Sequence, residues 1–250
     1  MKTLLKVQNL CKRFEDTMVL NNINFEVEEG QFISIMGHSG SGKSTLLYSV
    51  SGMDKPSSGN VFLCDQEISK LADAEMSDIR LSHMGFVFQH AYLLKNLSIK
   101  DNIVLPAFKL GNTSREQINE QADALLEKTG ITHVAAHDIK KVSGGQLQRA
   151  AICRALINNP TILFGDEPTG ALNSSASKDV LDIINQINRE GTTVILVTHD
   201  VKVAARSDEI IYLMDGTIAD SMTLGKYENN DIKIKAREKQ LYVWLEEKGL

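Results

Sequence analysis

FISIMGHSGSGKSTLLYSVSG, residues Phe32 to Gly52, decides how the rest of the chain is read. FISIM is a short apolar run and reads as a buried strand, while Lys43 to Gly52 reads as a helix stopped by a glycine. Between them GHSGSGKST, Gly37 to Thr45, matches GxxxxGK[ST]. Glycines let the backbone curl so that successive N–H groups point inward at phosphate oxygens, and the helix N-terminus adds the positive end of its dipole. Lys43 is then placed to reach β- and γ-phosphates, and the Ser44 hydroxyl to ligand Mg²⁺. A chance Gly-rich turn would lack this strand–loop–helix setting.

Such a loop needs a carboxylate at the end of a neighbouring strand. ILFGDE supplies Asp166 there, followed at once by Glu167. One carboxylate facing a metal and the next facing the γ-phosphate suit a general base that polarises an attacking water. Two acidic residues closing a strand are common on their own; beside a phosphate loop they gain this meaning. The chain has no NKxD motif, which weighs against a GTPase.

Outward from this centre the pattern is α/β. LLKVQNL and INFEVEEGQ alternate apolar and polar residues and read as strands, as does a pair around SSGNVFLCDQEI, then MGFVFQ. From about Leu93 to Pro160 the chain is mainly helical. TSREQINEQADALLEKTG carries a capping box at Thr113 and Glu116 and a stop at Gly130, and GQLQRAAICRALINNP is closed by Pro160. TILFGD and TTVILVTH flank a helix with Val180, Ile183, Ile184 and Ile187 on one face, the signature of βαβ units and a mostly parallel sheet. EIIYLMDGTIAD reads as a hairpin around Asp215-Gly216.

Composition sets limits. The 250 residues are 42% hydrophobic and carry a net charge of −5, so the broad basic field of a nucleic-acid-binding protein is absent. Three dispersed cysteines with no CxxC pair read as reduced thiols of a cytosolic protein. No apolar run approaches the ~18 residues of a membrane span, and MKTLLKVQNLCKRF has no signal-peptide layout. The expectation is a soluble intracellular chain that works at a membrane only through another protein.

VSGGQLQR, Val142 to Arg149, resembles the LSGGQ signature of the ATP-binding cassette (ABC) family. Gln89 after MGFVF is similar to that family's Q-loop, ILFGDEP to its Walker B strand and glutamate, and His199 to its switch histidine. Phe14 stands where the family places an aromatic on adenine. The resemblance spans nearly the whole chain. It implies an α/β P-loop NTPase with a RecA-like, mostly parallel sheet core, an antiparallel β subdomain and a helical signature subdomain. It also implies a cassette over 4–225, its helical subdomain at about 90–155, and a charged, helix-favouring tail over 226–250.

The resemblance further implies an ATPase with ATP and Mg²⁺ bound. ATP falls to Phe14, to Gly37, His38, Ser39, Gly40, Ser41, Gly42, Lys43, Ser44 and Thr45, and to Ser143, Gly144, Gly145 and Gln146. The His38 side chain, at a freely variable loop position, is assigned no chemistry. Mg²⁺ falls to Ser44, Gln89 and Asp166, and catalysis to Glu167, His199, Lys43 and Gln89. Ser-Gly-Gly at a helix start is in isolation only an N-cap. In the family it faces the nucleotide of a second copy, which implies a head-to-tail homodimer with two ATPs at a two-fold interface. GALN, Gly170 to Asn173, departs from the family's usual SALD: Asn173 loses a carboxylate and keeps a hydrogen-bonding oxygen.

FQHAYLLKNLSIKDNIVLP and GDEPTGAL look most like macrolide-exporter, lipoprotein-release and cell-division cassettes, which serve FtsX-like permeases. That implies a peripheral subunit on the inner face of the cell membrane, powering export or removal of peptide, lipoprotein or drug, antimicrobial-peptide resistance included. Force transmission without transport, and a soluble ABC ATPase, are the alternatives. The repair-type form of the latter needs a long coiled coil between Gln89 and Ser143, where no sustained heptads occur. Trp244, with Leu241 and Leu245, packs either on the chain's own surface or on a partner.

Overall fold

A computed structural model describes residues 2–228 and 231–248. Residues 229, 230, 249 and 250 of the predicted tail lie outside the described residues. In chain order the elements are β1 (Thr3–Phe14), β2 (Thr17–Glu28), β3 (Phe32–Met36), α1 (Lys43–Val50), β4 (Ser58–Leu63), β5 (Gln66–Glu67), α2 (Asp73–His83), β6 (Met84–Phe88) and α3 (Ile99–Leu110). There follow α4 (Arg115–Lys128), α5 (Gly144–Leu156), β7 (Ile162–Asp166), α6 (Ser174–Arg189), β8 (Thr193–Val197), α7 (Val201–Ala204), β9 (Glu209–Met214), β10 (Thr217–Thr223) and α8 (Asp231–Glu246). They form two compact units, Met1–Leu71 with Thr193–Leu250, and Ala72–Thr192.

The first unit holds an antiparallel sheet in the order β2-β1-β4-β5. Its strands bury Leu5, Val7, Leu10, Ile23, Val27 and Val61. Both β1 and β2 are longer than the alternation predicts, because bulges at Asn9 (φ 49°) and Asn22 (φ 52°) let each pass a kink without ending. In the same unit β3 lies between β8 and β9, parallel to both, and β10 closes the edge antiparallel to β9. β3 and β8 are buried at every residue, as a strand covered on both faces must be. The β9–β10 turn places Asp215 (φ 47°) and Gly216 (φ 74°) in the left-handed region that a tight two-residue hairpin requires.

The second unit pairs β6 and β7 in parallel, and its helices share a core of Ile99, Ile103, Val104, Ile118, Ala122, Leu126, Ala150 and Cys153. Three details differ from the sequence reading. The capping box of α4 is Ser114 with Gln117: Ser114 Oγ accepts from Gln117 N (3.3 Å) and Gln117 Oε1 accepts from Ser114 N (3.3 Å). Thr113 instead donates to Asn112 Oδ1 (2.9 Å), so the predicted Thr113–Glu116 box is displaced by one residue. Helix α5 ends at Leu156, ahead of Pro160, since Asn159 turns left-handed (φ 49°). Helix α2 has no counterpart in the sequence reading because Met76 is its one buried residue.

The tail resolves the two readings of Trp244. Leu241, Trp244 and Leu245 on α8 join a buried cluster with Met36, Val201, Ala204, Ile210 and Tyr212, so this face packs on its own chain. Among the described residues no helix is long and apolar enough to cross a membrane.

Candidate active site

In the first unit the strand β3 runs into the predicted phosphate loop and α1 starts at Lys43. Helix α1 has no side-chain cap and no acidic residue in its first turn, so its amides are not competed for by a carboxylate. Two glycines are required here. Gly42 has φ +99°, and a Cβ on it would stand 3.0 Å from Leu20 Cδ2 and 3.1 Å from the Val19 carbonyl. Gly37 has φ +152°, and its Cβ would fall 2.1 Å from the Leu213 carbonyl. The loop is thus wedged between β2 and β9.

Lys43 is buried, and its ammonium donates to the carbonyls of Gly37 (2.9 Å) and His38 (2.7 Å). Those bonds hold the charge over the loop. Ser41 Oγ is buried with no hydrogen-bond partner among the described residues. A cation, an uncapped helix start and a partnerless hydroxyl on one nine-residue loop suit an anionic phosphate. Phe14 is 48% exposed with the Lys12 ammonium 4.7 Å from its ring centroid. His199 is exposed at the end of β8, and its neighbour Thr198 accepts from the Asp200 amide (3.0 Å).

In the second unit β7 ends at Asp166, and Glu167 follows with φ 47°. A non-glycine residue in that region is costly and re-aims the chain. The turn closes by a bond from Gly170 N to the Glu167 carbonyl (3.0 Å). A Cβ on Gly170 would lie 3.1 Å from Gln89 Nε2 and 3.3 Å from Glu167 Oε2. The predicted Q-loop amide and the predicted base therefore converge on one point. Asn173, the departure from SALD, accepts from the Ala176 amide (2.9 Å) and caps α6, so the retained oxygen serves the helix.

The predicted signature forms the start of α5. Ser143 Oγ accepts from Gln146 N (3.4 Å) and Gln146 Oε1 accepts from Ser143 N (3.0 Å), while Gln146 Nε2 meets His133 Nε2 at 3.1 Å. A Cβ on Gly145 would reach 2.9 Å from Ala176 Cβ, so α5 and α6 touch there. The sequence reading missed what holds the segment around Gln89. Gln148 Nε2 donates to the Phe88 carbonyl (2.7 Å), and Arg154 donates to those of Ala91 (2.8 Å) and Tyr92 (2.7 Å). The buried Asn102 side chain accepts from Leu94 N (2.6 Å) and donates to Ser98 O (2.9 Å).

Residues 20–170 match the model of the ABC transporter family. The chain belongs to that family. This cassette is an ABC-type ATPase with the family's α/β P-loop fold, a mixed RecA-like sheet and an antiparallel β subdomain. It is similar to the ATP-binding cassette MJ0796 in a dimeric post-hydrolysis state bound to ADP and Pi, with 37% identity, TM-score 0.83, and 90% of this chain and 100% of that one covered. A second dimeric structure of MJ0796, described as a bacterial ABC transporter cassette, matches at 38% identity with the same coverage and TM-score. The cassette also resembles cbiO1 of Clostridium perfringens, part of the transporter complex cbiONQ, at 28% identity, TM-score 0.81 and 89% coverage of both chains.

Proposed function

We propose that this cassette works as a head-to-tail homodimer that closes on ATP, hydrolyses it, and so drives an FtsX-like permease from the inner face of the cell membrane. The observation that carries the reading is the convergence of Gln89 and Glu167 about Gly170, which brings a water-holding amide to a general base. Lys43 and the loop amides bind the phosphates, and Phe14 stacks on adenine. Ser44, Gln89 and Asp166 would hold Mg²⁺, whose charge offsets that of the phosphate oxygens. Its donors would be hydroxyl, amide and carboxylate oxygens, the hard set that this ion prefers.

Glu167 takes a proton from water as its oxygen attacks the γ-phosphorus. The bond to the β–γ bridging oxygen breaks, and ADP leaves with the electron pair. Lys43 and His199 donate to the phosphoryl oxygens that gain charge. Ser143 to Gln146 of the second copy closes over the same phosphate, a role supported by the dimeric state of the MJ0796 cassette.

The helical segment at about 90–155 takes up the permease. Tyr92, Leu94, Leu105 and Phe108, each more than 40% exposed, are apolar enough for a cytoplasmic helix of that partner to settle on. The cargo is peptide, lipoprotein or drug, antimicrobial peptides among them. Two variants test the catalytic part: Glu167→Gln is expected to bind ATP and accumulate as a closed dimer, and Lys43→Ala to lose ATP affinity. Normal ATP turnover by Glu167→Gln would sink the assignment. Recovery of a polytopic membrane protein with the tagged cassette tests the rest, and its topology separates FtsX-like from other permeases.

A further inference from the structure

The catalytic scheme leaves α8 unused, yet that helix sits beneath the phosphate loop of its own unit. Its Leu241, Trp244 and Leu245 pack with Met36, the residue that immediately precedes Gly37. Tyr212 is fully buried between the two. One edge of its ring meets Trp244 (centroids 6.0 Å apart, planes at 76°) and another meets His38 inside the loop (6.2 Å, 70°). The next carbonyl along β9, that of Leu213, fills the place of a Gly37 Cβ, and Gly216 N in the following turn donates to the Ser41 carbonyl (3.1 Å). Strand β9 and its turn thus touch the loop at Gly37, His38 and Ser41.

The helix is fastened as firmly to its side of the strand. Arg237 donates to the carbonyls of Ala205 (2.7 Å), Gly225 (3.0 Å) and Lys226 (3.2 Å), and also to that of Ser207. Five N–H donors in a rigid fork match such a ring of carbonyls and hold α8 in register. The Tyr212 hydroxyl, by contrast, is buried with no hydrogen-bond partner among the described residues. What the site uses at this position is the ring.

We propose that Tyr212 is a positioning residue through which α8 sets the grip of the Gly37–Thr45 loop on the nucleotide. This rests on the reading of that loop as the ATP site. Packing of Trp244 fixes the Tyr212 ring, the ring and the Leu213 carbonyl fix the first turn of the loop, and the loop amides are held ready for phosphate. Order carried through packed side chains in this way lowers the cost of binding.

Trp244 is the sole tryptophan, so its fluorescence reports the coupling directly. The full-length chain, kept monomeric as judged by light scattering, is titrated with ADP and Mg²⁺ while emission and heat of binding are both followed. Trp244 emission is expected to change saturably with the midpoint of the heat. Tyr212→Leu is expected to lose the emission change, weaken ADP about fivefold (about 1 kcal/mol), and raise KM for ATP while kcat stays within about twofold. Tyr212→Phe keeps the ring and is expected to restore all three. Heat of binding with flat emission in the native chain, or native ADP affinity in Tyr212→Leu, would overturn the proposal. No heat at all would instead overturn the nucleotide reading. Should Tyr212→Leu fail to fold, Trp244→Ala read by heat replaces it: weaker ADP binding upholds the brace, and unchanged affinity overturns it.

Discussion

Gln148 Nε2 donates a 2.7 Å hydrogen bond to the carbonyl of Phe88. Gln148 is buried on α5, three residues beyond Gly145, and Phe88 immediately precedes Gln89. The proposed signature helix and Q-loop of one cassette are therefore joined by a direct bond. Replacing Gln148 by Leu removes the donor at similar bulk. The expected cost is about 1–3 kcal/mol of unfolding free energy, measured by urea denaturation, with ATPase activity falling as Gln89 loses its support. Unchanged stability and turnover would mean that the bond holds nothing.

Gly37 and Gly40 separate two kinds of glycine requirement. At Gly40 (φ +79°) a Cβ meets nothing within 4 Å among the described residues, so Gly40→Ala faces only the backbone cost, about 1–2 kcal/mol. At Gly37 the Cβ collides with the Leu213 carbonyl as well. Gly37→Ala is expected to be the more destabilised in a denaturant series and to lose ADP binding in calorimetry. Equal effects of the two would remove the case for a loop wedged on β9.

The register of the α4 cap is open to a simple pair of variants. Ser114→Ala deletes a working N-cap and is expected to lower stability by about 1 kcal/mol. Thr113→Ala is expected to stay within about 0.5 kcal/mol. The reverse ranking in thermal denaturation would restore the Thr113–Glu116 box.

The thiols differ in reach. Burial pushes the Cys153 thiol up to about 11, and it also contacts Thr129 Oγ1 at 3.2 Å. A thiol reacts as thiolate, so at pH 8 Cys153 holds little of the reactive form and is closed to reagent besides. Cys64 is exposed. An aromatic disulfide reagent should modify Cys64 first and Cys153 only as the chain unfolds. A Cys153→Ser variant that lost the fast phase would contradict this.

The sequence made most of the fold legible where one pattern has one physical outcome. FISIM, the glycine loop and the following helix could not be read otherwise, and Asp215-Gly216 marked its hairpin because few residues tolerate two left-handed positions. Legibility failed where two patterns competed. Thr113-x-x-Glu116 and Ser114-x-x-Gln117 both satisfy a capping box, and only the path of the incoming chain chooses between them. Helix α2 offered no apolar stripe to see. In the site, motifs named Gln89, Asp166 and Glu167, but not the side chains that hold them. A glutamine inside a helix, such as Gln148, carries no sign of which distant carbonyl it will meet. The meeting of Gln89 and Glu167 at Gly170 likewise depends on the left-handed turn at Glu167, which no local preference predicts.

The place of Trp244 has a bearing on how the protein is made. Met36, Ile210 and Tyr212 find their cover in a helix that leaves the ribosome after every element that carries a nucleotide motif. Until α8 is synthesised, that face has no lid, and the carbonyls gathered by Arg237 must make do with water. A message cut short before α8 would therefore yield a chain with its motifs intact and a sticky apolar surface beside them, a product suited to aggregation and proteolysis more than to slow catalysis. Helix α8 thus carries a requirement for solubility that none of the nucleotide motifs reveals.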